Sequence, residues 1–148
     1  MAEGLLKAKL PIELKEHVIV RSAGTMNIIG SRATPYAIMA AKKFGADIEQ
    51  HRSRGISRQL VQKADIILVM DESHKSFLNM YYPEARENTY LLKEFKREYT
   101  PGENLSIEDP IGASFHFYEI IAREISNEVE RILPAIKRLI QNKIEMAG

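Results

Sequence analysis

Asp65-Ile66-Ile67-Leu68-Val69-Met70-Asp71 is the run that decides the fold. Its unbroken apolar stretch has the length of a strand. It lacks the polar alternation of a strand with one wet face. It therefore predicts a strand buried on both faces, as in a parallel sheet covered by helices. Working outward, Glu72–Tyr82 reads as a helix closed by Pro83, and Thr89–Leu92 as a shorter strand. Upstream, Ser57 can cap a short helix carrying Leu60 and Val61. Thr34 can cap a helix that begins at Pro35, a favoured first position, and runs through Phe44 to Gly45. His17–Ala23 reads as another strand, stopped by Gly24, and Met1–Leu10 as a helix ended by Pro11. Downstream, 95–108 is a polar loop containing Pro101-Gly102. From Ser114 a last helix carries one apolar stripe through Phe117, Ile121, Ile125, Val129, Ile132 and Ile140. Pro134 is expected to kink or divide that helix. Strands alternating with helices predict a single α/β domain with a mainly parallel sheet flanked by helices.

A chain of 148 residues is long enough for one domain with a sizeable core. A net charge of +1 gives no electrostatic case for nucleic acid or a membrane surface as the partner. No apolar run approaches the roughly 20 residues of a membrane-spanning helix. Lys7 and Lys9 interrupt the short amphipathic start, which does not read as a signal peptide. The chain has no cysteine, so it holds no disulfide, thiolate metal site or cysteine nucleophile of its own. His17, His51, His74 and His116 have no metal-ligand spacing, and no metal or other cofactor is expected.

One stretch is hard to explain by packing: Ser106-Ile107-Glu108-Asp109-Pro110-Ile111-Gly112-Ala113-Ser114. A residue before proline is pushed away from helical dihedrals, so Asp109 should sit on an extended loop. Ser114 can then cap the last helix. A carboxyl on a loop between ordered elements fits a catalytic group, and equally a turn acid beside a helix cap. Asp71, at the end of the buried strand, invites a reading as a phosphoacceptor. That reading needs an acidic pair after an earlier strand, and Arg21-Ser22-Ala23 supplies none. Arg52 and Arg54 could guide an anion or simply face water.

Several stretches together resemble the low-molecular-weight protein tyrosine phosphatases, a family that includes bacterial protein-arginine phosphatases. They are Met1-Ala-Glu-Gly-Leu-Leu6, Ser22-Ala-Gly-Thr25, His51-Arg-Ser-Arg54, Ala64 to His74, Leu91-Leu-Lys-Glu-Phe95 and Glu108-Asp-Pro-Ile-Gly112. They occur in the family's order and spacing. The resemblance implies a three-layer α/β fold and metal-free hydrolysis of a phosphomonoester or phosphoramidate through a cysteinyl-phosphate intermediate. It puts Asp109 in the role of general acid, then base. Ser22, His51 and Glu3 would support the phosphate-binding loop, and Ile111 would line the substrate pocket. Asp71 would be structural. In eukaryotic members aromatic residues typically follow Asp-Pro, whereas Ile111-Gly112 is similar to bacterial members. The implied substrate is a phosphorylated protein or small phosphomonoester in the cytoplasm.

The family's Cys-x5-Arg loop, between a first strand and first helix, has no counterpart in these residues. The expectation is that a strand and loop of about 15 residues precede Met1. Without them the chain is expected to be inactive, with its first strand missing. A strand from a partner chain in a dimer would complete the sheet. The alternative is a catalytically dead binding or regulatory module that keeps the fold.

Overall fold

A computed structural model describes residues 1–147. They form two compact units. One comprises Met1–Ser22, Arg32–His51 and the residues from Pro110 on; the other comprises Ala23–Ser31 and Arg52–Asp109.

The first unit is helical. It contains α1 (Ala2–Lys9), α2 (Ile12–Lys15), α3 (Pro35–Lys43) and α6 (Phe115–Ala147). α6 has 33 residues and is the platform on which α1 and α3 both pack. Its buried positions Tyr118, Ile121, Ala122, Ile125, Val129, Ile132, Ile136 and Ile140 recur every three or four residues, which keeps them on one side. Of the kink or division expected at Pro134, division does not occur: the helix runs on through it. A proline removes one backbone donor, and here the burial of Ile132 and Ile136 on either side outweighs that loss. The caps follow the sequence. Thr34 Oγ1 accepts from Ala37 N at 3.3 Å, and Ser114 Oγ from Phe117 N at 3.3 Å. Gly45, with φ of +90°, ends α3 where a side chain would be strained.

Gly4 sits inside α1, where glycine ordinarily weakens a helix. Here it is required, because a Cβ at this position would run into Cγ2 of Ile48, itself buried. Gly4→Ala should therefore destabilise this unit by about 1–3 kcal/mol, the opposite sign to an open helical site. Urea denaturation of Gly4→Ala, alone and with Ile48→Ala, checks this: the second change should recover part of the loss.

The second unit is built on a parallel pair. β1 (Ile67–Val69) pairs with β2 (Thr89–Leu91) in the register Ile67–Thr89, Leu68–Tyr90, Val69–Leu91. α5 (Glu72–Tyr81) and a 3-10 turn (Pro83–Asn88) make the crossover that a parallel pair requires. α4 (Arg58–Lys63) precedes β1 and is capped by Ser57 Oγ, which accepts from Leu60 N at 3.2 Å. Val61, Val69, Leu78, Ala85, Leu91 and Leu105 form the unit's core. Arg58 closes the far end of α5. It pairs with Glu84, donates from Nη2 to Tyr81 O at 3.3 Å and lies 5.1 Å from the Tyr82 ring centroid.

His17–Ala23, expected as a strand, forms none: His17 lies in a turn and 18–23 belongs to no sheet. Ile19 on it is 78% exposed. An apolar sequence supplies β propensity, but a strand exists only when a neighbour accepts its backbone hydrogen bonds. Among the described residues none does so for 18–22, and β1 pairs with β2 alone.

Glu94 braces the loop after β2. Its carboxylate accepts from Lys75 Nζ at 2.6 Å, Leu91 N at 2.8 Å and Tyr99 Oη at 3.2 Å. Burial opposes its ionisation, but the Lys75 and Leu91 hydrogen bonds, the Lys75 charge and Tyr99 more than offset this, and its pKa falls below the ordinary value. A carboxyl depressed in the folded state stabilises fully above its unfolded pKa, and the contribution is lost as pH falls through the folded value. Amide exchange of β2 should therefore accelerate as pH falls below about 4.3, after correction for intrinsic rates. In Glu94→Gln that pH dependence should be shallower.

Candidate functional site

Glu3, Ser22 and His51 come together in the first unit. α1 presents Glu3 from its first turn, where a carboxylate is favoured by the helix dipole. Ser22 Oγ donates to Glu3 Oε1 at 2.9 Å, and Lys7 Nζ donates to Oε2 at 3.0 Å. His51 Nδ1 lies 3.6 Å from the same Oε2, close enough for charge interaction. Burial disfavours the Glu3 carboxylate, but the hydrogen bonds from Lys7 and Ser22 and the charges of Lys7 and His51 prevail, holding its pKa below the usual range. Glu3 is thus an ionised hub that fixes a helix start, the Ser22 hydroxyl and the His51 ring. Lys7 was not among the sequence candidates, although its position one turn after Glu3 is a legible signal for an ion pair.

Ile111 lies in the same unit, on a tight turn. Ala113 N donates to Pro110 O at 2.9 Å, and Gly112 has φ of +79°, the geometry that asks for glycine at the third turn position. The turn leaves the Ile111 side chain 72% exposed.

Asp109 belongs to the second unit. It is exposed, at the end of a segment anchored by the buried side chains of Leu105 and Ile107. Ile107 N donates to Met70 O at 2.7 Å, which ties the segment to the carboxyl end of β1. Ser106 Oγ accepts from Glu72 N at 3.2 Å, which ties it to the start of α5. Asp71 caps that helix, its Oδ1 accepting from Ser73 N at 2.9 Å. Loops beyond the carboxyl ends of parallel strands are where open α/β sheets place ligands. Ser106 and Ile107 belong to the stretch the sequence singles out, but neither is a site candidate there, and Ile107 is packed in the core. The alternation of apolar Leu105 and Ile107 with polar neighbours is the signal that could have found them. Arg54 is exposed on the loop before α4, and Arg52 is half-buried there.

These features define a class: an α/β protein with a carboxylate carried beyond a parallel strand, and no cysteine of its own. The family model described as low molecular weight phosphotyrosine protein phosphatase matches residues 1–143. The chain belongs to that family. It is 31% identical over 139 residues to a probable low molecular weight protein-tyrosine-phosphatase, EpsP, of Ralstonia nicotianae, covering 94% of this chain and 88% of that protein. It is 32% identical over 133 residues to a protein-arginine-phosphatase of Geobacillus stearothermophilus, covering 89% of this chain and 83% of that protein. Among solved structures, the YwlE arginine phosphatase from Geobacillus stearothermophilus is similar with a TM-score of 0.80 and 29% identity, over 95% of this chain and 86% of that one. A low molecular weight protein tyrosine phosphatase from T. tengcongensis is similar with a TM-score of 0.79 and 30% identity, over 90% and 88%. The α/β fold expected from the sequence is that of these structures. No helix among the described residues is long and apolar enough to cross a membrane.

Proposed function

We propose that this chain carries the acid half of a phosphatase that hydrolyses phosphotyrosine or phosphoarginine in proteins. The supporting observation is the anchoring of the Asp109 loop to the carboxyl end of β1 in a chain of this family. Asp109 protonates the leaving oxygen or nitrogen as the bond to phosphorus breaks. As a carboxylate it then takes a proton from the water that releases phosphate. The nucleophile is a thiolate from outside these 148 residues, since they contain no cysteine. Glu3, Ser22 and His51 position the loop bearing that thiolate, and Ile111 contributes an aliphatic wall to the substrate pocket. The reaction needs no metal, and we place it in the cytoplasm.

Supplying the chain with an upstream strand and Cys-x5-Arg loop, then presenting peptides bearing phosphotyrosine or phosphoarginine, tests this reading. Turnover of either supports it; turnover of neither rejects it.

The missing cysteine also favours a second reading, a non-catalytic module that binds phosphorylated protein. It requires saturable binding of the same peptides without phosphate release. In either case the open edge of β1 can be completed by a strand from a partner chain. Sedimentation of the purified chain should then show a dimer, and a monomer at high concentration would reject that arrangement.

A further inference from the structure

The second unit contains a cleft of about 470 Å³ between the outer half of α5, the 3-10 turn and the loop after β2. That volume lies within the range of small-ligand sites. Lys75, Arg86 and Lys96 line it together with Glu87 and Glu94, leaving one positive charge in excess. Most of its other polar groups are already engaged. Glu94 accepts from Lys75, Leu91 N and Tyr99, and Thr89 Oγ1 donates to Ala85 O at 2.8 Å.

Among the lining side chains without a polar partner, beside Glu87, are Asn79 and Arg86. Asn79 Oδ1 is buried and has no hydrogen-bond partner. The Arg86 guanidinium is exposed and makes no ion pair among the described residues. A buried carbonyl without a donor is costly, and such groups in native proteins ordinarily have a reason. A guanidinium is matched in shape to a carboxylate, which it can bind through two parallel hydrogen bonds. The unfilled capacity of the cleft thus includes one acceptor wanting an N–H and one fork wanting a carboxylate.

We propose that this cleft binds a small carboxylate in which an N–H donor stands beside the carboxylate-bearing carbon. Free amino acids and the C-terminal residue of a peptide share that chemistry. The carboxylate pairs with Arg86, and the adjacent N–H is directed to Asn79. Neither residue takes part in the phosphatase reading above, so this proposal stands or falls independently of it.

The test is an NMR titration of the intact 148-residue chain with L-alanine, N-acetyl-L-alanine, acetate, N-methylacetamide and inorganic phosphate. L-Alanine or N-acetyl-L-alanine should shift the amide signals of Asn79, Arg86 and Thr89 along a saturable curve. Tighter binding of L-alanine identifies a free amino acid as the ligand, and tighter binding of the acetylated form a peptide terminus. Acetate and N-methylacetamide, each with half of the pattern, should bind at least about tenfold more weakly. Arg86→Gln, an exposed change, should weaken binding about tenfold without altering the remaining spectrum. Asn79→Leu should raise the melting temperature of the free chain and remove the response to ligand. The proposal is overturned if neither alanine derivative gives a saturable shift, if acetate or phosphate binds as tightly, or if Arg86→Gln binds unchanged.

Discussion

Asp109→Asn, placed in a chain completed with an upstream strand and Cys-x5-Arg loop, should lose about 10²- to 10⁴-fold in kcat, the range for removing a positioned general acid. Asparagine keeps the size and hydrogen-bonding capacity of the side chain but cannot deliver a proton. The loss should be largest for substrates with poor leaving groups, which depend most on protonation, and smallest for aryl phosphates with acidic phenols. Asp109 is exposed, and the buried residues Leu105, Ile107 and Pro110 around it are unchanged, so the folded state should be retained. The check is steady-state kinetics on a series of aryl phosphates, with circular dichroism as control. A uniform loss across the series would point to misplacement, and no loss would reject Asp109 as the acid.

Ile107→Ala should be the most damaging change near the site that touches no candidate catalytic atom. Ile107 is 2% exposed and carries the backbone donor that binds Met70 O at 2.7 Å. Truncating a buried isoleucine costs about 2–5 kcal/mol, part of it from the cavity left behind. Ile107→Val should cost only about 0.5–1.5 kcal/mol. The location of the damage is diagnostic. Amide exchange should rise first in 105–109, while β2 keeps more of its protection, because the cavity loosens the carrier of Asp109 before it opens the parallel pair. Equal acceleration throughout the second unit would mean that Ile107 is ordinary core with no particular hold on the loop.

Much of the fold is legible in the sequence, for identifiable reasons. The run from Asp65 to Met70 announces a parallel strand by its short, continuously apolar length, although burial on both faces is not met: only Val69 in it is buried, and Ile66, Ile67, Leu68 and Met70 are half-buried. Thr34, Ser57 and Ser114 mark three helix starts, and each accepts the expected backbone hydrogen bond. The Asp109-Pro110 pair is legible as a loop carboxylate because proline restricts the residue before it. What a sequence does not carry is dependence on neighbours. His17–Ala23 has a strand's composition and no strand's hydrogen bonds, because pairing is a property of two segments. Pro134 looks like a break and is not one, because the burial of an entire helix face outweighs one lost donor. The Glu3 hub is visible only in part. Its partner Lys7 is local, whereas Ser22 and His51 reach it through the fold.

The most direct test of the central claim, that these residues hold a phosphatase's acid without its nucleophile, is the rate of p-nitrophenyl phosphate hydrolysis by the purified 148-residue chain. It should equal the buffer blank at every pH, and turnover should appear only when a Cys-x5-Arg strand and loop is joined to the chain. Hydrolysis by the chain alone that co-purifies with it and falls in Asp109→Asn would contradict the account, because a nucleophile would then have to lie among its own residues.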